Sequence, residues 1–309
     1  MPAMAEHRLI LAVVGSVLDP DPRAAASVAQ VMGFRGLQFD AVSSAVDLTA
    51  LSHTGRREFR HVLSSRDQEL VGLRVDLGSR GLGPGADVDR ALALIYRAMD
   101  AARGLAAPLV CVDLGPLPVA REPAKPKPRV TPDMAGLLIL PTSAELQAMA
   151  AQGAAPPPPP PDPGFEAQVD AAMADLGQRA DRYGVQVAFR TDLASFASIE
   201  RAVRAARCPY FGIDLDPAAV LADAWDLDEV FSRLGPDVRH VRGRDAVAGP
   251  DRRTKPAPIG RGDTKWDHLL SNLDAAGYRG PLTIDPSDLP DRRTAAVAGV
   301  KYLKLHGIE

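Results

Sequence analysis

The sequence predicts an α/β protein with a single closed (β/α)₈ barrel, and three observations lead to this prediction. Short apolar runs, which are typical of strands buried on both faces, alternate with amphipathic stretches that are typical of helices. Eight such runs occur along the chain. Without its proline-rich residues 116–163, the chain is close to the length of about 250 residues that is usual for this fold. An open doubly wound sheet is the alternative, but residues 14–17 after the first run lack its glycine-rich phosphate turn.

The predicted strands are nearly continuous apolar runs, as expected where crossover helices cover a parallel sheet. They span residues 9–14, 37–39, 70–75, 109–112, 185–189, 210–215, 238–241 and 282–284.

The amphipathic stretches predict one helix after each strand. Pro22 is a favourable first helical residue, Asp87 is a favourable N-cap, and Gly33 and Gly184 follow helices at the preferred C-terminal position. The predicted helices cover residues 23–32, 56–66, 88–102, 165–183, 197–206, 227–234, 266–276 and 292–305.

Residues 116–163 hold many of the 28 prolines, including the unbroken run at 156–161. Because proline lacks a backbone N–H and fixes φ, this segment cannot be regular helix or central strand throughout. We interpret it as a proline-rich insertion after the fourth strand, within one domain that spans residues 1–309. A surface loop is the simpler interpretation of the insertion, and a lid or a partner-docking arm is the alternative.

The composition excludes several classes of protein. Hydrophobic residues at 46% and charged residues at 24% are typical of a globular protein. A net charge of −3 lacks the basic excess of a general nucleic-acid or membrane-surface binder. Cys111 and Cys208 are too few for a disulfide framework or a cysteine-built zinc site. Because the first apolar run is also too short to cross a bilayer, we expect a cytoplasmic protein, with homo-oligomerisation left open.

Polar side chains stand where the predicted strands end, which is where a barrel of this type carries its site. Because a buried charge is costly unless it is paired, we expect these groups to form ion pairs or to face a water-filled mouth. His240 alternates with Arg242 and is a candidate acid or base, with a structural role as the alternative. The other candidates are Gln38, Asp40, Asp76, Asp113, Arg190, Asp192, Asp214, Asp216, Arg244, Asp245 and Asp285.

Several of these segments resemble the sugar phosphate isomerase/epimerase family, the xylose isomerase-like TIM barrels that include endonuclease IV-type enzymes. The resemblance covers residues 7–115 and 165–309, in the family's order, and implies proton-transfer chemistry on a small sugar-like or phosphorylated substrate. The matching stretches are GFRGLQ at 33–38, ADRYGVQV at 180–187, FGIDLD at 211–216, HVRGRD at 240–245, IGRG at 259–262, Trp266, and GYRGPLTID at 277–285.

The resemblance also implies a divalent metal, but this chain departs from the family at most ligand positions. In the family, the metal ligands are a Glu, an Asp, a His and a Glu at the ends of strands five to eight. The corresponding residues here are Arg190, Asp216, Arg242 and Asp285, and Gln38 corresponds to a Glu of strand two. Arginine has no lone pair to offer and stays protonated, so it cannot be a metal ligand. We therefore predict no cofactor and a metal-free site, in which Arg190 and Arg242 neutralise Asp216 and Asp285.

Two functions are consistent with this pattern, and the sequence leaves open whether the protein is an enzyme. In the first, guanidinium groups bind a sugar-like or anionic ligand, and a nearby group catalyses isomerisation or epimerisation by proton transfer. In the second, arginines and aspartates only pair with each other, and the barrel has a non-catalytic binding or scaffold role. For the first function, the ligand-binding candidates are Gln38, Asp76, Asp113, Arg190, Arg242 and Arg244, and the catalytic candidates are Asp214, Asp216, His240 and Asp285.

Overall fold

A computed structural model describes residues 9–118, 162–192, 195–249 and 253–308, and these form a closed parallel barrel. Its strands are β1 (Ile10–Val14), β2 (Gly36–Asp40), β3 (Glu69–Val75), β4 (Leu109–Pro116), β5 (Gln186–Asp192), β6 (Phe211–Leu215), β7 (Val238–Gly243) and β10 (Pro281–Ile284). The order around the barrel is β1-β10-β7-β6-β5-β4-β3-β2, so each strand pairs with the barrel strands that precede and follow it in sequence. The predicted (β/α)₈ barrel is therefore confirmed.

The helices follow the strands as predicted, with small shifts at their ends. Asp87 caps the third helix through a bond from the Arg90 N–H, and the second helix starts three residues before its predicted position because Ser52 caps it. The helices are α1 (Pro22–Met32), α2 (His53–Ser64), α3 (Val88–Leu105), α4 (Pro163–Tyr183), α5 (Phe196–Ala206), α6 (Pro217–Ala222), α7 (Leu227–Leu234), α8 (Trp266–Ala275) and α9 (Arg292–Leu305).

Two elements lie beyond the predicted pattern. The short helix α6 begins directly after β6, because Asp216 accepts a bond from the Ala218 N–H and Pro217 occupies the first turn. After β7, the strands β8 (Asp245–Ala248) and β9 (Thr254–Ala257) form an antiparallel hairpin outside the barrel. Both elements lie at the end of the barrel at which the parallel strands terminate.

Alternation along the strands separates the core into two regions. Val110 and Val112 of β4 belong to the main core, whereas Leu109 and Cys111 pack with Ala188 in a separate small cluster. Because successive strand residues point to opposite faces, the second set faces the barrel lumen. The side chains that come next on that luminal face build the candidate site.

Strand β4 runs through Pro116 and α4 begins at Pro163, so the regular elements occupy both ends of the predicted insertion. Residues 119–161 lie outside the described residues, and the proline-rich insertion and the single-domain organisation stay predictions. Among the described helices, none combines the length and the apolarity needed to cross a membrane.

Two helical glycines provide a test of the packing between α4 and α5. A Cβ added at Gly177 of α4 would collide with the Ala206 carbonyl of α5, whereas one added at Gly55 of α2 would meet nothing closer than 3.4 Å. We expect Gly177→Ala to lower the free energy of unfolding by about 1–3 kcal/mol through overpacking. The control Gly55→Ala should leave it unchanged or raise it by up to about 1 kcal/mol. Urea unfolding measures both, and equal effects of the two variants would contradict this packing.

Candidate functional site

The carboxyl ends of the barrel strands surround a cavity of about 510 Å³, which we call the mouth cavity. Most of its lining is charged, and the charges come from several different strands and the segments that follow them, as expected for the active end of such a barrel. The lining residues are Asp40, Val42, Ser43, Arg74, Val75, Asp76, Cys111, Asp113, Arg190, Arg242, Arg244, Asp285, Ser287 and Asp288.

Four charged residues of the lining and the buried Asp214 form a first ion-pair chain, in the order Asp40, Arg74, Asp285, Arg242 and Asp214. Arg74 lies between two carboxylates, with Nη2 2.8 Å from Asp40 Oδ1 and Nη1 2.9 Å from Asp285 Oδ2. Arg242 continues the chain, since its Nη1 lies 3.7 Å from Asp285 Oδ2 and its Nε donates to Asp214 Oδ2 at 3.0 Å. Each guanidinium is thus shared by two carboxylates.

A second ion-pair chain runs in the order Asp113, Arg190, Asp216, Arg244 and Asp288. The Nε of Arg190 donates to Asp113 Oδ2 at 3.0 Å, and its Nη1 lies 3.4 Å from Asp216 Oδ2. That same Asp216 oxygen accepts a bond of 2.9 Å from Nη1 of Arg244, whose Nη2 pairs closely with Asp288. The other oxygen of Asp216 caps α6 by accepting a bond of 3.0 Å from the Ala218 N–H, and this carboxylate is buried.

The arginines keep the buried carboxylates ionised. Burial acts to raise the pKa of Asp214, but Arg242 and His240 overcome it and hold that pKa well below its usual range. For Asp285, Arg74 and Arg242 likewise outweigh burial and lower the pKa. A carboxylate that holds its charge so firmly is a weak proton acceptor, so the arrangement disfavours both aspartates as general bases.

Asp214, the last residue of the first chain, also belongs to a set of buried side chains that we call the luminal cluster. Its members are Gln38, Cys111, Asp214, His240 and Thr283. His240 is fully buried, with Nδ1 2.6 Å from Asp214 Oδ1 and Nε2 2.8 Å from Thr283 Oγ1. The Gln38 amide donates to Cys111 Sγ at 3.2 Å and lies 3.4 Å from His240 Nε2. Burial acts to lower the pKa of His240, but Cys111 and Asp214 raise it to about 10.

Asp245 organises the loops beside the mouth cavity. Its carboxylate accepts bonds from the backbone N–H groups of Gly260 at 2.9 Å, Gly262 at 3.1 Å and Thr264 at 3.2 Å. The indole Nε1 of Trp266 adds a fourth donor from outside the hairpin at 3.1 Å. With its oxygens filled by donors of its own loop, Asp245 has a structural role and does not line the mouth cavity.

The structure brings most of the predicted site residues together but in two different places. Gln38 and His240 lie in the luminal cluster and do not line the mouth cavity. Asp76 lies at the exposed rim, where its Oδ1 accepts a bond of 2.7 Å from the Gly78 N–H. The side chain of Asp192 lies outside the described residues. The remaining candidates, which belong to the two ion-pair chains, are Asp40, Asp113, Arg190, Asp214, Asp216, Arg242, Arg244 and Asp285.

The prediction was that Arg190 and Arg242 together neutralise Asp216 and Asp285. Arg190 contacts Asp216 and Arg242 contacts Asp285, but each arginine has a closer partner that the prediction did not name. These partners are Asp113 for Arg190 and Asp214 for Arg242.

Sequence reasoning also missed four residues of the two chains and the luminal cluster, namely Arg74, Cys111, Thr283 and Asp288. Arg74 is the one charged residue in the apolar run 70–75, which was an available signal. Cys111 stands two residues before Asp113, and the strand period places both on the luminal face.

Comparison with known proteins places this geometry in a recognised fold. A family profile described as the xylose isomerase-like TIM barrel matches residues 26–306. A xylose isomerase domain protein from Planctomyces limnophilus is similar over 96% of each chain, with 18% identity and a TM-score of 0.70. D-Psicose 3-epimerase from Clostridium cellulolyticum H10, solved with D-tagatose, is 12% identical with a TM-score of 0.67, covering 97% of this chain and 100% of its own.

A third solved structure, 3-keto-D-glucoside 4-epimerase from E. coli, is 15% identical with a TM-score of 0.64 and covers 96% of this chain and 100% of its own. At these identities the likeness concerns the fold. A search among curated protein sequences finds no match.

The luminal cluster predicts a pH dependence of stability. Because the pKa of His240 is raised from 6.5 to about 10, its protonated form stabilises the fold fully below pH 6.5, and this stabilisation is lost as the pH rises through about 10. We expect the free energy of unfolding to fall by on the order of a few kcal/mol across this window. The ionisable groups that face this ring are Asp214 and Cys111, and Arg242 lies on the far side of Asp214.

Urea unfolding at pH 6.5, 8 and 10 measures this loss, and the variant His240→Gln should show a flatter profile. Histidine ¹⁵N NMR follows the ring directly. A His240 ring that titrates near its ordinary pKa would show that the cluster does not hold the proton.

Proposed function

The chain belongs to the xylose isomerase-like TIM barrel family, and from this membership we propose that the mouth cavity binds a small sugar-like ligand and transfers a proton on it. The observation that carries the proposal is the cavity lining, in which guanidinium donors alternate with carboxylate acceptors. Sugar hydroxyls both donate and accept hydrogen bonds, so such a lining suits a polyhydroxy molecule. Proteins of similar fold include two that are named as sugar epimerases.

The charge of the site favours a neutral ligand over a phosphorylated or carboxylated one. Among the described residues, each of the four arginines at the mouth already contacts two carboxylates, which offset its charge and leave only its remaining N–H donors for a ligand hydroxyl or carbonyl oxygen. The aspartates outnumber these arginines, so a bound anion would meet a net negative surface. The seven aspartates are Asp40, Asp76, Asp113, Asp214, Asp216, Asp285 and Asp288.

A divalent metal does not fit the residues at the mouth. Arg190 and Arg242 stand at two of the four positions that hold a metal in the resembled family, and both are bound to carboxylates in the ion-pair chains. A cation would compete with fixed guanidinium groups for the same oxygens, and it would be repelled by them. We therefore assign the stabilisation of a developing oxyanion to guanidinium N–H groups that line the cavity.

A non-catalytic binding role is the second candidate, and one observation favours it. All three predicted catalytic carboxylates are bound by arginines, and the lowered pKa values of Asp214 and Asp285 make them weak bases. In that case the cavity would still bind its ligand, but no proton would move.

Deuterium exchange distinguishes the two candidates. We expect at least one neutral ketose or aldose from a panel to raise the melting temperature of the protein and to gain deuterium next to its carbonyl carbon in D₂O, detected by NMR. Binding without exchange would favour the non-catalytic role. Neither binding nor exchange with any sugar would contradict the proposed function.

Arginine variants test whether the mouth cavity is the ligand site. Arg190→Met and Arg242→Met should each weaken sugar binding by about tenfold or more, because charge-assisted hydrogen bonds are lost. Arg201→Met is the matched control, since Arg201 also pairs with two carboxylates, Glu166 and Asp170, but outside the barrel. If the mouth variants change stability as the control does and leave binding intact, the arginines are structural only.

Metal titration tests the proposed replacement of the cation. By isothermal titration calorimetry with Mn²⁺, we expect no stoichiometric binding by the wild type. The double variant Arg190→Glu/Arg242→His supplies the residue types found in the resembled family beside Asp216 and Asp285, and it should gain saturable binding. Tight binding of one Mn²⁺ by the wild type would overturn the metal-free assignment.

A further inference from the structure

The two ion-pair chains leave open which group at the mouth cavity exchanges a proton with a ligand. Among the described titratable side chains of the lining, only Asp76 and Cys111 have no place in either chain. Asp76 lies at the solvent-exposed rim and accepts a bond from the Gly78 N–H. Cys111 lies at the floor of the cavity and is only 1% exposed. Of the two, Cys111 is the group shielded from water.

Cys111 is part of an ordered set of groups. Its Sγ, a His240 ring nitrogen and an Asp214 carboxylate oxygen all lie within 4.8 Å of one another. Gln38 fixes the sulfur, because its amide nitrogen donates to Sγ at 3.2 Å and lies 3.4 Å from His240 Nε2. The sulfur therefore lies beside the imidazole, within 4.8 Å of one of its nitrogens and of an Asp214 oxygen.

This arrangement matches the general logic of an activated thiol. Asp214 binds Nδ1 of the ring at 2.6 Å and so fixes its orientation and its tautomer. Thr283 contacts Nε2 from β10 at 2.8 Å, and Arg242 holds the far oxygen of Asp214. A histidine placed in this way can take the proton of a neighbouring thiol and stabilise the resulting thiolate. A cysteine, a histidine and an aspartate thus lie close to one another below the mouth cavity.

We propose that Cys111 is the catalytic base at the floor of the mouth cavity, activated by His240 and positioned by Gln38. This inference rests on the proposed function, a proton transfer on a neutral sugar-like ligand. It adds a residue type that the carboxylate-based prediction did not include.

The step balances without any further reactant. His240 already holds the proton of the Cys111–His240 pair, so the sulfur starts as a thiolate and takes a proton from the carbon next to the ligand carbonyl. The electron pair of that C–H bond forms the C=C bond of an enediolate, while the carbonyl oxygen takes the negative charge and accepts N–H bonds from lining arginines. Return of the proton from sulfur to either carbon completes an epimerisation or an isomerisation.

The first test measures the reactivity of the thiol in the folded wild type, where Cys208 is an internal reference. The chain has two cysteines, and Cys208 is half-buried outside the luminal cluster. With iodoacetamide and peptide mass spectrometry, we expect the alkylation rate of Cys111 to change at least about tenfold less between pH 6 and pH 9 than that of Cys208, a comparison in which the slower access to the buried thiol cancels. The variant His240→Gln should make the two pH profiles alike. A wild-type Cys111 whose rate rises with pH as steeply as that of Cys208 would overturn the activation.

The second test uses the deuterium-exchange assay with matched cysteine variants. Cys111→Ala should lower the exchange rate by about 100-fold or more while sugar binding, measured by thermal shift, persists. Cys208→Ser should exchange like the wild type. Exchange retained in Cys111→Ala would overturn the assignment of the base.

The outcomes also separate this inference from the proposed function. If the wild type exchanges deuterium and Cys111→Ala does so equally, only the assignment of Cys111 fails. If the wild type exchanges with no sugar, the proton transfer fails and Cys111 loses its assigned role as base, whatever its reactivity toward iodoacetamide.

Discussion

The pairing of guanidinium groups with carboxylates at the barrel mouth is the constraint on which the site depends. Taking an ion out of water costs several kcal/mol, and the low-exposure carboxylates Asp214, Asp216 and Asp285 are tolerated only because arginines meet them. Removing one member of a chain leaves its partner buried and uncompensated. The stability of this end of the barrel and the chemistry of the cavity therefore rest on the same contacts.

Periodicity in the sequence was sufficient to predict the barrel and the end at which its site lies, because both follow from local pattern. The pairing of charges was only partly predictable. Asp113 and Arg190 are direct register neighbours on β4 and β5, and Asp40 and Arg74 are so on β2 and β3. Register depends on how the strands assemble, and the sequence of one strand does not specify it.

The features that sequence reasoning missed depend on contacts between residues far apart in the chain, or lie in elements too short to show a period. Arg242 meets Asp214 after a register irregularity between Ile213 and Asp214, where β6 pairs with β7. The helix α6 was not predicted because its six residues are too few for a clear period, yet its first turn binds one oxygen of the buried Asp216. The hydrogen bonds to Asp245 come from backbone N–H groups of residues distant in the sequence, and spacing in the sequence does not reveal that they meet at one carboxylate.

Guanidinium groups in the place of a metal ion, as we propose for this site, alter what the remaining carboxylates can do. An ion supplies positive charge at a point and can leave a coordination position open for a ligand. A guanidinium supplies charge together with directed N–H donors, and here those donors bind at least one oxygen of each carboxylate in both chains. Asp214 and Asp285, whose pKa values are lowered, orient arginines but are poor proton acceptors. If the site moves a proton, the acceptor that we infer lies outside the chains at the shielded floor of the cavity, and it is the sulfur of Cys111, beside the buried imidazole of His240.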